Sequence, residues 1–90
     1  MLKVFYATSF KRDFKQVKKR GYDVRLFEDV LCLLVKDEPL PKKYKEHMLK
    51  GKYTGQKECH ITPDWLLVYK IDRGTLILTL TRTGTHSDLF

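Results

Sequence analysis

Cysteine is scarce, and Cys32 and Cys59 are the only two. Without a secretory leader, two thiols make no disulfide framework. Both lie among apolar residues, where small buried core thiols are expected, and neither has neighbours at zinc-ligand spacing. No apolar run is long enough to cross a bilayer. The opening residues, Met1-Leu2-Lys3-Val4-Phe5-Tyr6, lack the long apolar region and small-residue cleavage site of a signal peptide. A cytoplasmic protein with no membrane partner is therefore expected. There is also no glycine-rich phosphate loop, no metal constellation, no internal repeat and no low-complexity segment, so no cofactor is implied.

Acid is the other shortage. Eighteen Lys and Arg face eleven Asp and Glu, a net charge of +7 on 90 residues. That excess predicts a polyanionic partner, an acidic protein partner, or both. It is clustered: Lys11, Arg12, Lys15, Lys18, Lys19 and Arg20 share ten positions with a single acid, Asp13. The hydrophobic content, 42%, is enough for one small core, so residues 1–90 are expected to form a single domain.

Periodicity orders the chain. Residues 2–6 read as a short first strand. Thr8 or Ser9 is placed to cap a helix in which Phe10, Phe14 and Val17 fall on one stripe. Gly21 ends that helix. A second starts at Asp23, with Leu26, Phe27, Val30, Leu31 and Leu34 on one face and Glu28 and Asp29 in its early turns. Pro39 and Pro41 stop it. A turn of one or two residues would make the two helices an antiparallel hairpin. Lys42–Lys52 reads as a solvated basic loop. Tyr53–Ile61 reads as a strand, Thr62-Pro63-Asp64 as a turn and Trp65–Ile71 as a buried central strand. Asp72-Arg73-Gly74 makes a hairpin turn before a half-buried strand over Leu76–Leu80. The order β-α-α-β-β-β predicts an α+β domain, two N-terminal helices packed on an antiparallel sheet.

The meander gathers a site. The outer strands run the same way and the middle one opposite, so His60, Asp64, Trp65, Arg82 and, past Gly84, His86 come to one edge of the sheet. Each has an ordinary explanation alone. Asp64 after Pro63 is a turn former, Trp65 and Tyr69 are core, and Arg82 pairs with Asp64 or Asp88. Together they suit phosphodiester chemistry. Histidine donates or accepts a proton near neutrality, arginine offers a charged fork to phosphate oxygens, and Asp64 can orient a histidine or act as base. Arg82 and His86 lie outside the core stripes, so replacing either by alanine is expected to leave the fold intact.

Three stretches carry a family resemblance: Glu46-His47-Met48-Leu49-Lys50-Gly51-Lys52, Glu58-Cys59-His60-Ile61-Thr62-Pro63-Asp64-Trp65, and Arg82-Thr83-Gly84-Thr85-His86-Ser87-Asp88-Leu89-Phe90. They resemble the YafQ family of the RelE/ParE superfamily of bacterial type II toxins. The resemblance covers nearly the whole chain. It implies a RelE-like fold and a metal-independent endoribonuclease that cleaves mRNA in the ribosomal A site. It also implies a cognate antitoxin whose acidic segment covers the site. His47, His60, Asp64, Arg82, His86 and Phe90 match active-site positions. His86 would be the general acid, Asp64 or a histidine the base, Arg82 the phosphate ligand and Phe90 a stacking surface. Glu58 and Trp65 are secondary candidates. Lys11, Lys15, Lys18, Lys19, Lys50 and Lys52 would meet ribosomal RNA phosphates, and the first helix would also suit an acidic antitoxin. The competing readings are a non-catalytic basic RNA-binding module and a ParE-like toxin that inhibits a protein target. Both need the charges but not the histidines.

Overall fold

The structure, a computed structural model, describes residues 1–90. Its elements are β1 (Lys3–Tyr6), α1 (Thr8–Lys19), α2 (Val24–Val35), β2 (His47–Met48), β3 (Lys57–Thr62), β4 (Trp65–Asp72), β5 (Ile77–Gly84) and α3 (His86–Leu89). The strands form one sheet in the order β1-β5-β4-β3-β2. The α+β class is as expected, with a third, four-residue helix, α3, beyond the two expected and two differences in the sheet. The sheet is mixed, because β1 pairs parallel to β5 from Lys3 opposite Ile77 to Tyr6 opposite Leu80. It has five strands, because His47 and Met48 pair with Glu58 and Lys57. Both missed pairings are poorly visible to local pattern: one joins opposite ends of the chain and the other is two residues long.

β4 lies at the centre of the sheet, and its alternation builds two cores. Leu67 and Tyr69 face Phe10, Val17, Phe27, Val30 and Leu34 of α1 and α2, with Leu78 and Leu80 beside them. Leu66 and Val68 point the other way, into a smaller cluster with Tyr53 and Leu89. The helices pack through their aromatic rings, with Phe14 and Phe27 5.0 Å apart and Phe10 and Phe14 stacked at 5.4 Å.

Both long helices end in the same backbone device. Tyr22 N–H donates to Val17 and Gly21 N–H to Lys18; Glu38 N–H donates to Leu33 and Asp37 N–H to Leu34. This Schellman pattern requires a left-handed residue, supplied by Gly21 at φ 81° and by Asp37 at φ 56°. α2 therefore stops at Val35, ahead of Pro39, and the connection between the helices is Arg20–Asp23 rather than one or two residues. Asp23 caps α2 by accepting from Arg25 N–H at 3.0 Å. The first cap differs from expectation. Ala7 occupies it with no side-chain bond, and Ser9 Oγ donates instead to the Thr81 carbonyl at 2.6 Å.

Leu26 and Cys32 lie off the buried face of α2 and are exposed. Cys59 is fully buried, and burial pushes its thiol up to about 12, so it is no nucleophile. Lys42–Lys52 is not a simple loop. It contains two 3₁₀ turns and β2, and it is held to the sheet by a hydrogen bond from the buried Tyr69 hydroxyl to Glu46. Tyr53 belongs to the second 3₁₀ turn rather than to a strand. Leu76, at φ 58°, is the last residue before β5. No helix is long and apolar enough to cross a membrane.

Candidate active site

One register row organises the site. His47 lies opposite Glu58, Glu58 opposite Val68, and Val68 opposite Arg82. Residues paired in this way project to the same face of a sheet. The row above it runs His60, Leu66, Gly84. Strands lie about 4.8 Å apart, so the β3 and β5 members of each row stand roughly 10 Å apart, separated by the apolar floor of Leu66 and Val68.

On the β3 side, two histidines share one carboxylate. His47 Nε2 is 3.3 Å and His60 Nε2 is 3.7 Å from the same Glu58 oxygen. The rings are 6.3 Å apart, and His60 Nδ1 is 3.4 Å from the Pro63 carbonyl. Glu58 is only 4% exposed, and its other oxygen is buried without a partner. A buried carboxylate with spare acceptor capacity is costly in an apolar setting. Two neighbouring imidazoles, either of which can take a proton, offset that cost.

On the β5 side, Arg82 is clamped. Its Nε donates to Asp13 at 2.5 Å and its Nη2 at 3.2 Å, while Nη1 donates to the Tyr53 hydroxyl at 3.2 Å. The bond to Asp13 holds the guanidinium above its ordinary value, against the opposing effect of burial. Tyr53 also meets the Phe90 ring edge-on at 5.7 Å, and Phe90 lies 5.1 Å from His86. Arg82, Tyr53, Phe90 and His86 thus form one continuous chain of contacts. Phe90 and His86 remain exposed.

The Gly84 turn sets this second half. Thr85 caps α3 and forms a capping box with Asp88. Asp88 in turn accepts two bonds from Arg20, at 2.6 and 3.1 Å. A side chain on Gly84 would meet an Asp88 oxygen at 2.8 Å, and its φ of 151° disfavours any Cβ.

The expected residues divide accordingly. His47, His60 and Arg82 border the floor, and His86 and Phe90 are joined to it through Tyr53. Asp64 sits exposed in the β3–β4 turn, bonded to none of them, and Glu58 occupies the place at the histidines that Asp64 was expected to fill. Trp65 is buried and donates its indole N–H to Thr83 Oγ1 at 2.8 Å, so it has no free face for a base. Arg82 pairs with neither Asp64 nor Asp88. Lys50 and Lys52 are exposed, with the Lys52 ammonium 5.6 Å from the Tyr53 ring, so that basic segment lies next to the site. Asp13 and Tyr53 were missed. The one available signal was Asp13 itself, a lone acid in a basic helix four residues after Ser9.

Residues 2–90 match the family model described as the bacterial toxin of type II toxin–antitoxin system, YafQ. The chain is 37% identical over 86 residues to the mRNA interferase toxin YafQ of Escherichia coli K12, covering 94% of this chain and 91% of that protein. It superposes with a TM-score of 0.93 on a metal-bound toxin from Helicobacter pylori, 42% identical, both chains covered completely. It also superposes on the toxin of the E. coli DinJ–YafQ complex, with a TM-score of 0.91, 35% identity, and 100% and 99% of the two chains covered.

Proposed function

This chain belongs to the YafQ family of bacterial type II toxins, and we propose that it is a cytoplasmic endoribonuclease that cleaves translated mRNA by attack of a ribose 2′-hydroxyl. The observation that carries this reading is the cross-strand placement of His47 and His60 on one side of the apolar row and Arg82 on the other, with His86 joined to Arg82 through Phe90 and Tyr53. In-line displacement at phosphorus needs a base and an acid on opposite sides of the reacting atom. His47 and His60 stand on the β3 side, and His86 stands past the end of β5.

The steps balance within the protein's own groups. A β3-side imidazole, with Glu58 beside it, takes the 2′-hydroxyl proton as the 2′-oxygen bonds to phosphorus. Arg82 neutralises the charge that gathers on the non-bridging oxygens. His86, protonated, gives its proton to the 5′-oxygen as that bond breaks. Phe90 offers an exposed ring on which a base can stack. The H. pylori relative is metal-bound. In this chain no group of three or more His, Cys, Asp or Glu side chains is arranged to hold a metal ion, and no step here runs through one.

The partners follow from charge. Lys11, Lys15, Lys18 and Lys19 are exposed on α1 and suit ribosomal phosphates. An acidic antitoxin segment would cover the same positive surfaces, as the DinJ–YafQ pairing in E. coli suggests by analogy. The test is to incubate purified protein, without divalent metal, with naked RNA and with programmed ribosomes, and to map the cut ends. Cleavage leaving a 5′-hydroxyl and a 2′,3′-cyclic or 3′-phosphate, and abolished by a 2′-deoxy substitution at the cut nucleotide, supports the mechanism. Cleavage of the 2′-deoxy substrate would overturn it. A protein that arrests growth without cutting any RNA would favour the reading as a ParE-like inhibitor of a protein target.

A further inference from the structure

We propose that Asp13 is a positioning residue that aims Arg82 at one non-bridging oxygen of the scissile phosphate. The proposal rests on the reading of this site as a ribonuclease. Arg82 is a long side chain near the end of a strand, and without a partner it would sample many directions. Asp13 removes that freedom with one carboxylate. One oxygen accepts from Nη2 and the other from both Nε and the Thr83 backbone N–H, the last at 3.2 Å. The guanidinium is thereby referenced to the backbone of the residue that follows it. Tyr53 takes an N–H from the far nitrogen. Of the guanidinium's five N–H groups, two remain for a phosphate, and their direction is set.

Asp13 is itself held firmly. It shares a side of α1 with Ser9, which bonds the Thr81 carbonyl, and with Arg20, which bonds Asp88. β1 pairs with β5 only as far as Leu80. The remaining edge of β5 is covered by these α1 side chains, at positions 9 and 13, and α3 is tied down by position 20.

This geometry separates aiming from attraction. Asp13 neutralises Arg82, so removing its charge leaves the site more positive and more attractive to RNA, but less well aimed. Asp13→Asn is expected to lower kcat about 10- to 100-fold while KM stays the same or falls. A merely structural role for Asp13 would not produce that split. A sharper readout is the rate ratio for the two phosphorothioate diastereomers at the cut site. The parent should prefer one, because Arg82 faces a single oxygen, and Asp13→Asn should bring the ratio towards one. Asp13→Glu keeps the ion pair but displaces it by a methylene, and should lose the ratio while retaining the fold. Cys32→Ala, exposed on α2 and away from these bonds, should keep both kcat and the ratio. In an Arg82→Ala background, Asp13→Asn should change kcat by no more than about twofold. The inference fails if Asp13→Asn or Asp13→Glu keeps the parent's diastereomer ratio, whatever happens to the rate. If the parent itself cuts no RNA, the ribonuclease reading fails instead.

Discussion

Replacing Arg82 by alanine should unfold more than it disarms. The side chains of Arg82 and Asp13 are 20% and 12% exposed, so removing the arginine strands a carboxylate in a nearly dry place. Breaking a fully buried ion pair costs about 3–5 kcal/mol. Here both groups retain some water and Asp13 keeps the Thr83 N–H, so about 2–3 kcal/mol is the reasonable figure. For a domain of this size that is a fall in Tm of roughly 10–20 °C, readable by circular dichroism at neutral pH. The structure argues against the sequence-based expectation of an intact fold: Arg82 lies outside the core stripes, but the side chain of its partner Asp13 is only 12% exposed. The double variant Asp13→Asn, Arg82→Ala should recover more than half the loss, because asparagine carries no charge to strand. High salt should change these differences little, since the pair is largely shielded from solvent ions. An Arg82→Ala protein melting within about 3 °C of the parent would refute the reasoning, as would a double variant less stable than Arg82→Ala.

His86→Ala is the cleaner test of chemistry: single-turnover cleavage should drop about 10²–10⁴-fold, with an unchanged melting curve, because the ring is exposed and packs on the exposed Phe90. Gly84→Ala should force Asp88 away from Thr85 and Arg20, so backbone amides of residues 86–90 should exchange faster while those of β4 stay protected, and cleavage should fall with them. The Asp88 carboxyl is held well below its ordinary 3.8, first by the bond from Arg20. Its contribution to stability is therefore complete above about pH 4 and drains away as pH falls further; acid titration of Asp88→Asn should lack that part of the loss. Neutralising Lys11, Lys15, Lys18 and Lys19 together should weaken ribosome binding and make its salt dependence shallower, with cleavage of free RNA unaltered.

How much of this was legible in the sequence depends on how local each signal was. Phe10 and Val17, and Phe27, Val30 and Leu34, declare themselves by period, and all five are buried. Leu26 fits the same pattern loosely and is exposed, because a face wide enough to include it is wider than the surface it packs on. The two hairpins were visible as Pro63-Asp64 and Asp72-Arg73-Gly74, and from them followed the parallel run of β3 and β5 that brings His60 and Arg82 to one end. The register itself was not legible. It decides that Glu58, not Asp64, meets the histidines, and it depends on a bulge between Val68 and Tyr69 and an irregularity between His60 and Thr62 that no period announces. Pairings such as Arg82 with Asp13, 69 positions apart, leave only the trace of an acid standing alone among bases.

That lone acid explains the layout of α1. At about 100° per residue, Ser9, Asp13 and Arg20 fall within roughly 40° of one another. Phe10, Phe14 and Val17 form a second stripe about a quarter-turn away. Lys11, Lys15 and Lys18 form a third, about 180° from the first. The apolar stripe seats the helix on the sheet, and the Ser9–Asp13–Arg20 stripe holds β5, Arg82 and α3 in register. The lysine stripe therefore faces away from Arg82 and the reacting site, on the side where contact with ribosomal RNA phosphates was expected. Lysines so placed do not line a groove for the strand being cut, and they are exposed to a different surface altogether. A free RNA strand would have to wrap half the helix to use both stripes, whereas a large folded RNA can grip one side while the message it carries enters from the other. The same helix would then take the load of docking and hold the arginine that meets the phosphate, so a partner that displaced α1 would disturb Arg82 without touching the floor of the site.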